Sequence, residues 1–435
     1  MRGMKDVKKS APILLAGIAI VAAFSTPSAA PPGGNWPQFR GPSRNGVSAE
    51  TGLLQSWPAA GPAKLWSVPG LGTGFSSVSI ANGRILTMGD RRDGQYVIAL
   101  DEETGKQLWA TRVGGRHDDA DFPGSRGTPT QDGALAYSVT TDGELVAIET
   151  ATGTVRWRRH LERDFGGMMM SGWRWAESPL VDGDRVLVTP GSPRAIIVAL
   201  NKLTGADIWR ATTPRLGSAG SDGAGYSSIV ISNGAGVKQY VQMTGRGLVS
   251  VRASDGQFLW GYNRVANDVA NISMPVESGN FVFGSTSYGT GSVMLELSPA
   301  ANGGVTAREK YFLDGGTFQN HHGGFVLVGE YLYGGHGQSN GFPKCIEFAT
   351  GKMMWDQQRG PGQGSAAIVA ADGRLYFRYQ DGTMALIDPS PTGFKEISRF
   401  TIPGPRTYSW AHPVIAAGRL YLREQNNLNV YNIKR

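Results

Sequence analysis

Eight side chains of mixed chemistry recur at equivalent places ahead of a repeated tight turn, and they are the part of this sequence best suited to recognising a ligand. Aligned on those turns, one position holds Phe75, Ser125, Trp175, Tyr226, Asn271, His322, Ser365 and Trp410. Two residues further on stand Ser77, Gly127, Glu177, Ser228, Ser273, Gly324, Ala367 and His412, with Arg126 between the two sets. One Arg, one Glu, an Asn and two His among large aromatic rings could orient a polar or planar ligand, so the candidate binding set is Arg126, Trp175, Glu177, Tyr226, Asn271, His322, Trp410 and His412. The competing expectation is that Trp and Tyr plug a channel while the polar groups satisfy strand ends. No catalytic residue is assigned.

Metal chemistry is poorly supplied. His321, His322, His336 and His412 are four of the six histidines, but only His322 and His412 converge in this register, and a zinc site needs three or four ligands. No metal is expected. His117-Asp118-Asp119-Ala-Asp121 lacks the D-x-D-x-D-G spacing of a calcium loop and reads as a solvated connection. Cys345 is the only cysteine, so no internal disulfide can form, and its place in a small-residue position predicts a buried, inert thiol. The run Met168-Met-Met-Ser-Gly-Trp-Arg-Trp175 is unusually apolar for a connection; it is expected to pack over the same end of the molecule, as a cover, a lid or a partner patch.

The elements that must position these residues are short strands. The chain has 62 Gly, 24 Pro and 11 Trp in 435 residues, with 18% charged side chains, a composition of many strands joined by tight turns. Ala99-Leu-Asp-Glu-Glu-Thr-Gly-Lys-Gln-Leu-Trp109 recurs without a gap at 147–157, 199–209, 250–260 and 345–355, and in degraded form from Leu295 and over 385–400. Each copy alternates into a turn whose Gly takes positive φ and leaves on a strand ending in Trp. A second pair of strands precedes each, around Asn82-Gly83, Asp182-Gly183, Asn233-Gly234, Ser278-Gly279 or Asp372-Gly373. Four strands every 43 to 52 residues predict a β-propeller. Hairpin ends at Trp66, Trp109, Trp157, Trp209, Trp260, near Tyr311, at Trp355 and at Phe400 count eight blades. Residues 408–432 supply only three strands of the last, which the orphan strand Ala63-Lys-Leu-Trp66 is expected to complete. The fold class is therefore all-β, an eight-bladed propeller of four-stranded antiparallel blades over residues 63–435, preceded by an extension, 31–62. Trp355-Asp356 imitates a WD-repeat signature once, by coincidence.

Residues 1–30 read as a cleaved secretory signal: a basic start, the apolar run Ala11–Phe24, then small residues to Ala30. The apolar run is too short for a spanning helix, and no Cys follows it to carry a lipid. A periplasmic or secreted, monomeric protein is expected. The formal charge of +7 falls to about +4 without the leader, too little and too scattered for nucleic acid.

The A-x-D-x-x-T-G-x-x-x-W pattern resembles the tryptophan-docking repeat of pyrroloquinoline quinone (PQQ) quinoprotein propellers and of the BamB-like propeller lipoprotein of the outer-membrane β-barrel assembly machinery. Asn35-Trp-Pro-Gln-Phe-Arg-Gly-Pro-Ser-Arg-Asn-Gly46, Asn320-His-His-Gly-Gly-Phe-Val-Leu-Val-Gly329 and Ser409-Trp-Ala-His-Pro-Val414 are similar to segments of exported PQQ-repeat proteins. The resemblance implies that Trp109, Trp157, Trp209, Trp260 and Trp355 pack between blades and are structural. It also implies two functions. One is a non-catalytic binding or scaffold protein for a protein, peptide or glycan of the cell envelope, with no cofactor. The other is a PQQ-dependent alcohol or sugar oxidoreductase, for which Glu177 and Asn271 would hold Ca²⁺ beside the quinone; the vicinal Cys pair and the Asp base of such enzymes are missing.

Overall fold

The computed structural model describes residue 1 and residues 34–118, 122–403 and 408–435. The expected leader lies outside the described residues apart from Met1, as do Asp119 and Asp121 of the acidic loop. Residues from 34 onward pack as one unit.

Eight sheets follow one another along the chain, at 79–114, 130–160, 180–210, 230–262, 276–314, 325–356, 366–401 and 414–432, and are called blades 1 to 8. Within each blade successive strands are antiparallel neighbours. Local chemistry explains the turns. Asn82 and Gly83 have φ of 52° and 73°, and Asp372 and Gly373 have 45° and 70°, the doubly left-handed geometry that matches strand twist. Asn233-Gly234 differs: the turn there widens into a short 3-10 segment, Gly234–Gly236. Middle strands such as Leu135–Val139 and Thr383–Ile387 are buried at every residue, because blades cover both faces. Outer strands such as Lys64–Val68 stay largely accessible.

The outer aromatic of one blade meets the turn glycine of the next. A Cβ added to Gly153 would lie 2.7 Å from Trp109, one on Gly205 2.8 Å from Trp157, and one on Gly256 2.5 Å from Trp209. Tyr311 meets Gly351 in the same way, and Phe400 meets Gly61. The indole N–H groups of Trp109, Trp157 and Trp355 donate to Thr150 O, Lys202 O and Ser390 O of the following blade. Trp260 differs, donating to Gln239 of its own blade at 2.7 Å, since blade 5 has no T-G turn to receive it.

Blade 8 has three strands of its own, and its fourth is Lys64–Val68, antiparallel to Asn427–Asn432 with Trp66 opposite Val430. The segment ahead of this strand threads the centre of the ring. Trp36 bridges Ile80 of blade 1, and Val47–Ser48 adds a parallel strand to the inner edge of blade 7. Two buried arginines fasten it. Arg40 donates to the carbonyls of Asn45, Ile368 and Phe325, and Arg44 donates to Ser178 O at 2.8 Å and Pro179 O at 3.0 Å. Trp57 then packs on Tyr376 and Phe400, between blades 7 and 8. No helix among the described residues is long and apolar enough to cross a membrane.

Three outcomes are expected. A chain lacking residues 31–67 exposes a sheet edge and aggregates, which light scattering reads directly. Arg40→Ala lowers unfolding free energy by about 2 to 4 kcal/mol in urea, because buried carbonyls lose their donor. Gly205→Ala costs about 1 to 3 kcal/mol through its left-handed backbone and the indole of Trp157.

Candidate functional site

Inner strands all start at one end of the ring, and the turns between second and third strands return to that end. There the described residues line an open cavity of about 530 Å³. The N-terminal segment closes it below with Phe39 and Arg40, and the ring of Phe39 meets that of His412 edge-on at 4.9 Å.

Of the eight residues expected at this mouth, Arg126, Tyr226, His322, Trp410 and His412 line the cavity. Trp175, Glu177 and Asn271 do not. Trp175 is buried in the core between blades 2 and 3, because Arg174 takes a left-handed φ of 66° and the chain presents Trp173 to the cavity instead. Asn271 is fully buried. Its amide nitrogen donates to Thr244 O and Gly245 O, and its oxygen accepts from Asn267 N, so it ties the loop before blade 5 and leaves Ala270 and Ile272 to line the cavity. Glu177 accepts from Thr189 N at 2.6 Å, Thr189 Oγ1 at 2.9 Å and Gln242 Nε2 at 3.1 Å. Neither Glu177 nor Asn271, the pair that the quinoprotein alternative would use for Ca²⁺, lines the cavity. Among the described residues no three His, Cys, Asp or Glu form a metal-binding group.

Alignment of inner strands missed Phe39, Phe122, Trp173, Tyr288, Gln380 and Tyr408, which also line the cavity. Tyr288 and Gln380 sit in the returning turns, a signal the strand direction carries. Phe39 comes from a segment whose path depends on the far end of the chain. The apolar connection after blade 2 packs over this end: Met170 is buried with Tyr226 and Ala270, and Trp173 N donates to Tyr226 Oη. His336 lies elsewhere, accepting from Gln319 N. Burial pushes the Cys345 thiol up to about 12.

The three segments quoted for their resemblance, 35–46, 320–329 and 409–414, meet beneath the cavity. His412 Nε2 donates to His322 O at 3.0 Å, and its Nδ1 accepts from Arg40 at 3.4 Å. His322 lies 4.7 Å from the Trp410 ring. The paired glycines of the second segment answer to packing: a Cβ on Gly323 would fall 1.6 Å from Ala366 O, and one on Gly324, at φ 70°, 2.7 Å from Arg40. Burial, with Arg40 beside it, holds His412 down to about 3; burial alone brings His321 down to about 4, and burial with its two imidazole neighbours holds His322 well below the ordinary range. All three rings are neutral at neutral pH.

Burial pushes the Glu177 carboxyl up to about 7 against the pull of Thr189 and Arg44. Folding therefore favours the protonated acid, and the stability this contributes is full below the unfolded value near 4.5 and lost as pH rises to about 7. Wild type should lose roughly 3 kcal/mol across that window, while Glu177→Gln should show a flatter profile in urea titrations from pH 4 to 8.

Residues 50–223 and 92–357 match the family model described as "Outer membrane protein assembly factor BamB". No curated protein sequence matches the chain. Among solved structures, BamB from Moraxella catarrhalis is 14% identical, with 85% of this chain and 99% of that one covered at a TM-score of 0.58. A quinohemoprotein alcohol dehydrogenase from Pseudomonas putida HK5 is 12% identical, covering 92% and 80% at 0.63, and that of Comamonas testosteroni is 11% identical, covering 92% and 80% at 0.62. At such identities these likenesses show the fold alone. The family match, spanning most of the chain, identifies this protein as a member of the PQQ-repeat family of outer membrane protein assembly factor BamB.

Proposed function

We propose that this protein is a non-catalytic binding propeller of the cell envelope, exported by its leader, that takes its ligand in the mouth cavity as a monomer. The observation that carries this reading is the meeting of three distant segments, through Arg40, His322, Trp410 and His412, at the base of one open cavity rich in aromatic rings. A merely structural plug needs no such space, and a cavity of about 530 Å³ is of the size that binds small molecules or a peptide side chain.

The quinoprotein reading lacks its donors. The oxygens of Glu177 are taken by Thr189 and Gln242, Asn271 is tied to backbone, and Cys345 is the only cysteine in the chain. The residues present do not fit a Ca²⁺-bound quinone. Two measurements test the proposal. Protein purified from cells given PQQ and Ca²⁺ should retain no quinone absorbance and oxidise no alcohol with an artificial dye; retained quinone with turnover would overturn it. In thermal-shift screens of peptides, glycans and small organics, any stabilising ligand should lose its effect with Val269→Trp, which fills the mouth from its exposed rim. Ligands indifferent to that change would place binding elsewhere.

A further inference from the structure

Building on the mouth as the binding site, we infer that its ligand presents a neutral, compact aryl group of one or two fused rings, laid between two aromatic walls. Blades 8, 1 and 2 give one wall. Phe122 stacks on Trp410 at 5.1 Å, and Phe75 and Tyr408 lie 5.0 and 4.7 Å from the same indole. Blades 3 to 5, across the ring, give Trp173, Tyr226 and Tyr288.

The hydroxyls of Tyr226 and Tyr288 are already tied. Tyr226 Oη bonds Ser171 Oγ at 2.7 Å and accepts Trp173 N at 3.2 Å. Tyr288 Oη bonds His321 Nε2 at 3.0 Å, and the other nitrogen of His321 bonds Ser365. Most of what remains turned to the space is ring face and aliphatic carbon, the latter from Val269, Ile272 and Met274, with Ser227, Ser228, Gln338, Ser339 and Gln380 as its polar part. Such walls favour flat apolar groups through burial and offset stacking.

Charge selects further. The Arg40 guanidinium is committed to three backbone carbonyls and His412. Arg126 donates to Phe122 O at 2.8 Å and lies 5.7 Å over the ring of Phe75. The imidazoles of the floor are neutral. A carboxylate entering here would be desolvated without a spare cation among the described residues, and a sugar would set most of its hydroxyls against carbon. One neutral hydroxyl can be accommodated: Gln380 Oε1 accepts from Trp410 Nε1 at 2.8 Å, which leaves its amide N–H groups.

The test titrates the full mature chain with 2-naphthol, 2-naphthoate and cellobiose at neutral pH, by calorimetry and tryptophan fluorescence, beside Val269→Trp with its melting temperature as a folding control. Expected are saturable binding of 2-naphthol, at least tenfold weaker binding of 2-naphthoate, none of cellobiose, and at least a tenfold loss for 2-naphthol in Val269→Trp at unchanged melting temperature. Preference for naphthoate that Val269→Trp abolishes would overturn the neutral character of the ligand, and such a preference for cellobiose would overturn the aryl class, each while leaving the mouth as the site. Failure of 2-naphthol to bind at millimolar concentration would also overturn it. Binding of 2-naphthol that Val269→Trp leaves unchanged would overturn both readings.

Discussion

Each blade of this molecule can bury both of its faces only if the last blade meets the first, and the contact that brings this about is the pairing of Lys64–Val68 with Asn427–Asn432. Everything at the centre follows from it. With its closing strand held on the outside of blade 8, the preceding segment runs inward between blades 7 and 8, past Trp57 and Leu53, to the inner edge of blade 7 at Val47–Ser48 and on to Arg40 and Trp36. Ring closure and channel filling are thus one structural act. The channel becomes a cavity open at one end, with Phe39 as part of its floor.

The polar groups of that centre are paired under burial. Arg378 bonds Glu424 at 2.8 Å, and both are almost wholly buried; Arg423 donates to the backbone of blade 1. Such pairs add little to stability over apolar substitutes but are costly to break singly. In this protein they satisfy inner-strand carbonyls that converge where water is scarce. The same dryness keeps His321, His322 and His412 neutral. The charged residues of the interior therefore act as internal fastenings.

What could be read from sequence was what is decided within a few residues. The T-G turn, the Asn-Gly turn and the returning Trp are local, so blade number and even the closing strand were legible from Ala63 to Trp66. The mouth was legible for Arg126, Tyr226, His322, Trp410 and His412, because strand register carries over from blade to blade. It failed where a loop breaks that register: at Trp175, displaced by the left-handed Arg174, and at Asn271, drawn inward to bond Thr244 and Gly245. Glu177 was found at its strand position, but the neighbours that occupy it, Thr189 and Gln242, lie in other strands and leave no trace in its own segment. The path of residues 34–57 through the ring is wholly a matter of distant contacts.

The pairing of Trp66 with Val430 also sets an order of events in time. Every other blade is a meander that can form as soon as its own residues are available, whereas this one must wait for the end of the chain. The entropic difference is modest: closing a loop of about 360 residues costs only about 2 kcal/mol more than closing one of about 50. The delay is kinetic, since long-range pairing is slow to find. A growing chain therefore carries an unpaired edge and an open centre until Asn427–Asn432 is available, and the mouth cavity is the last feature to form.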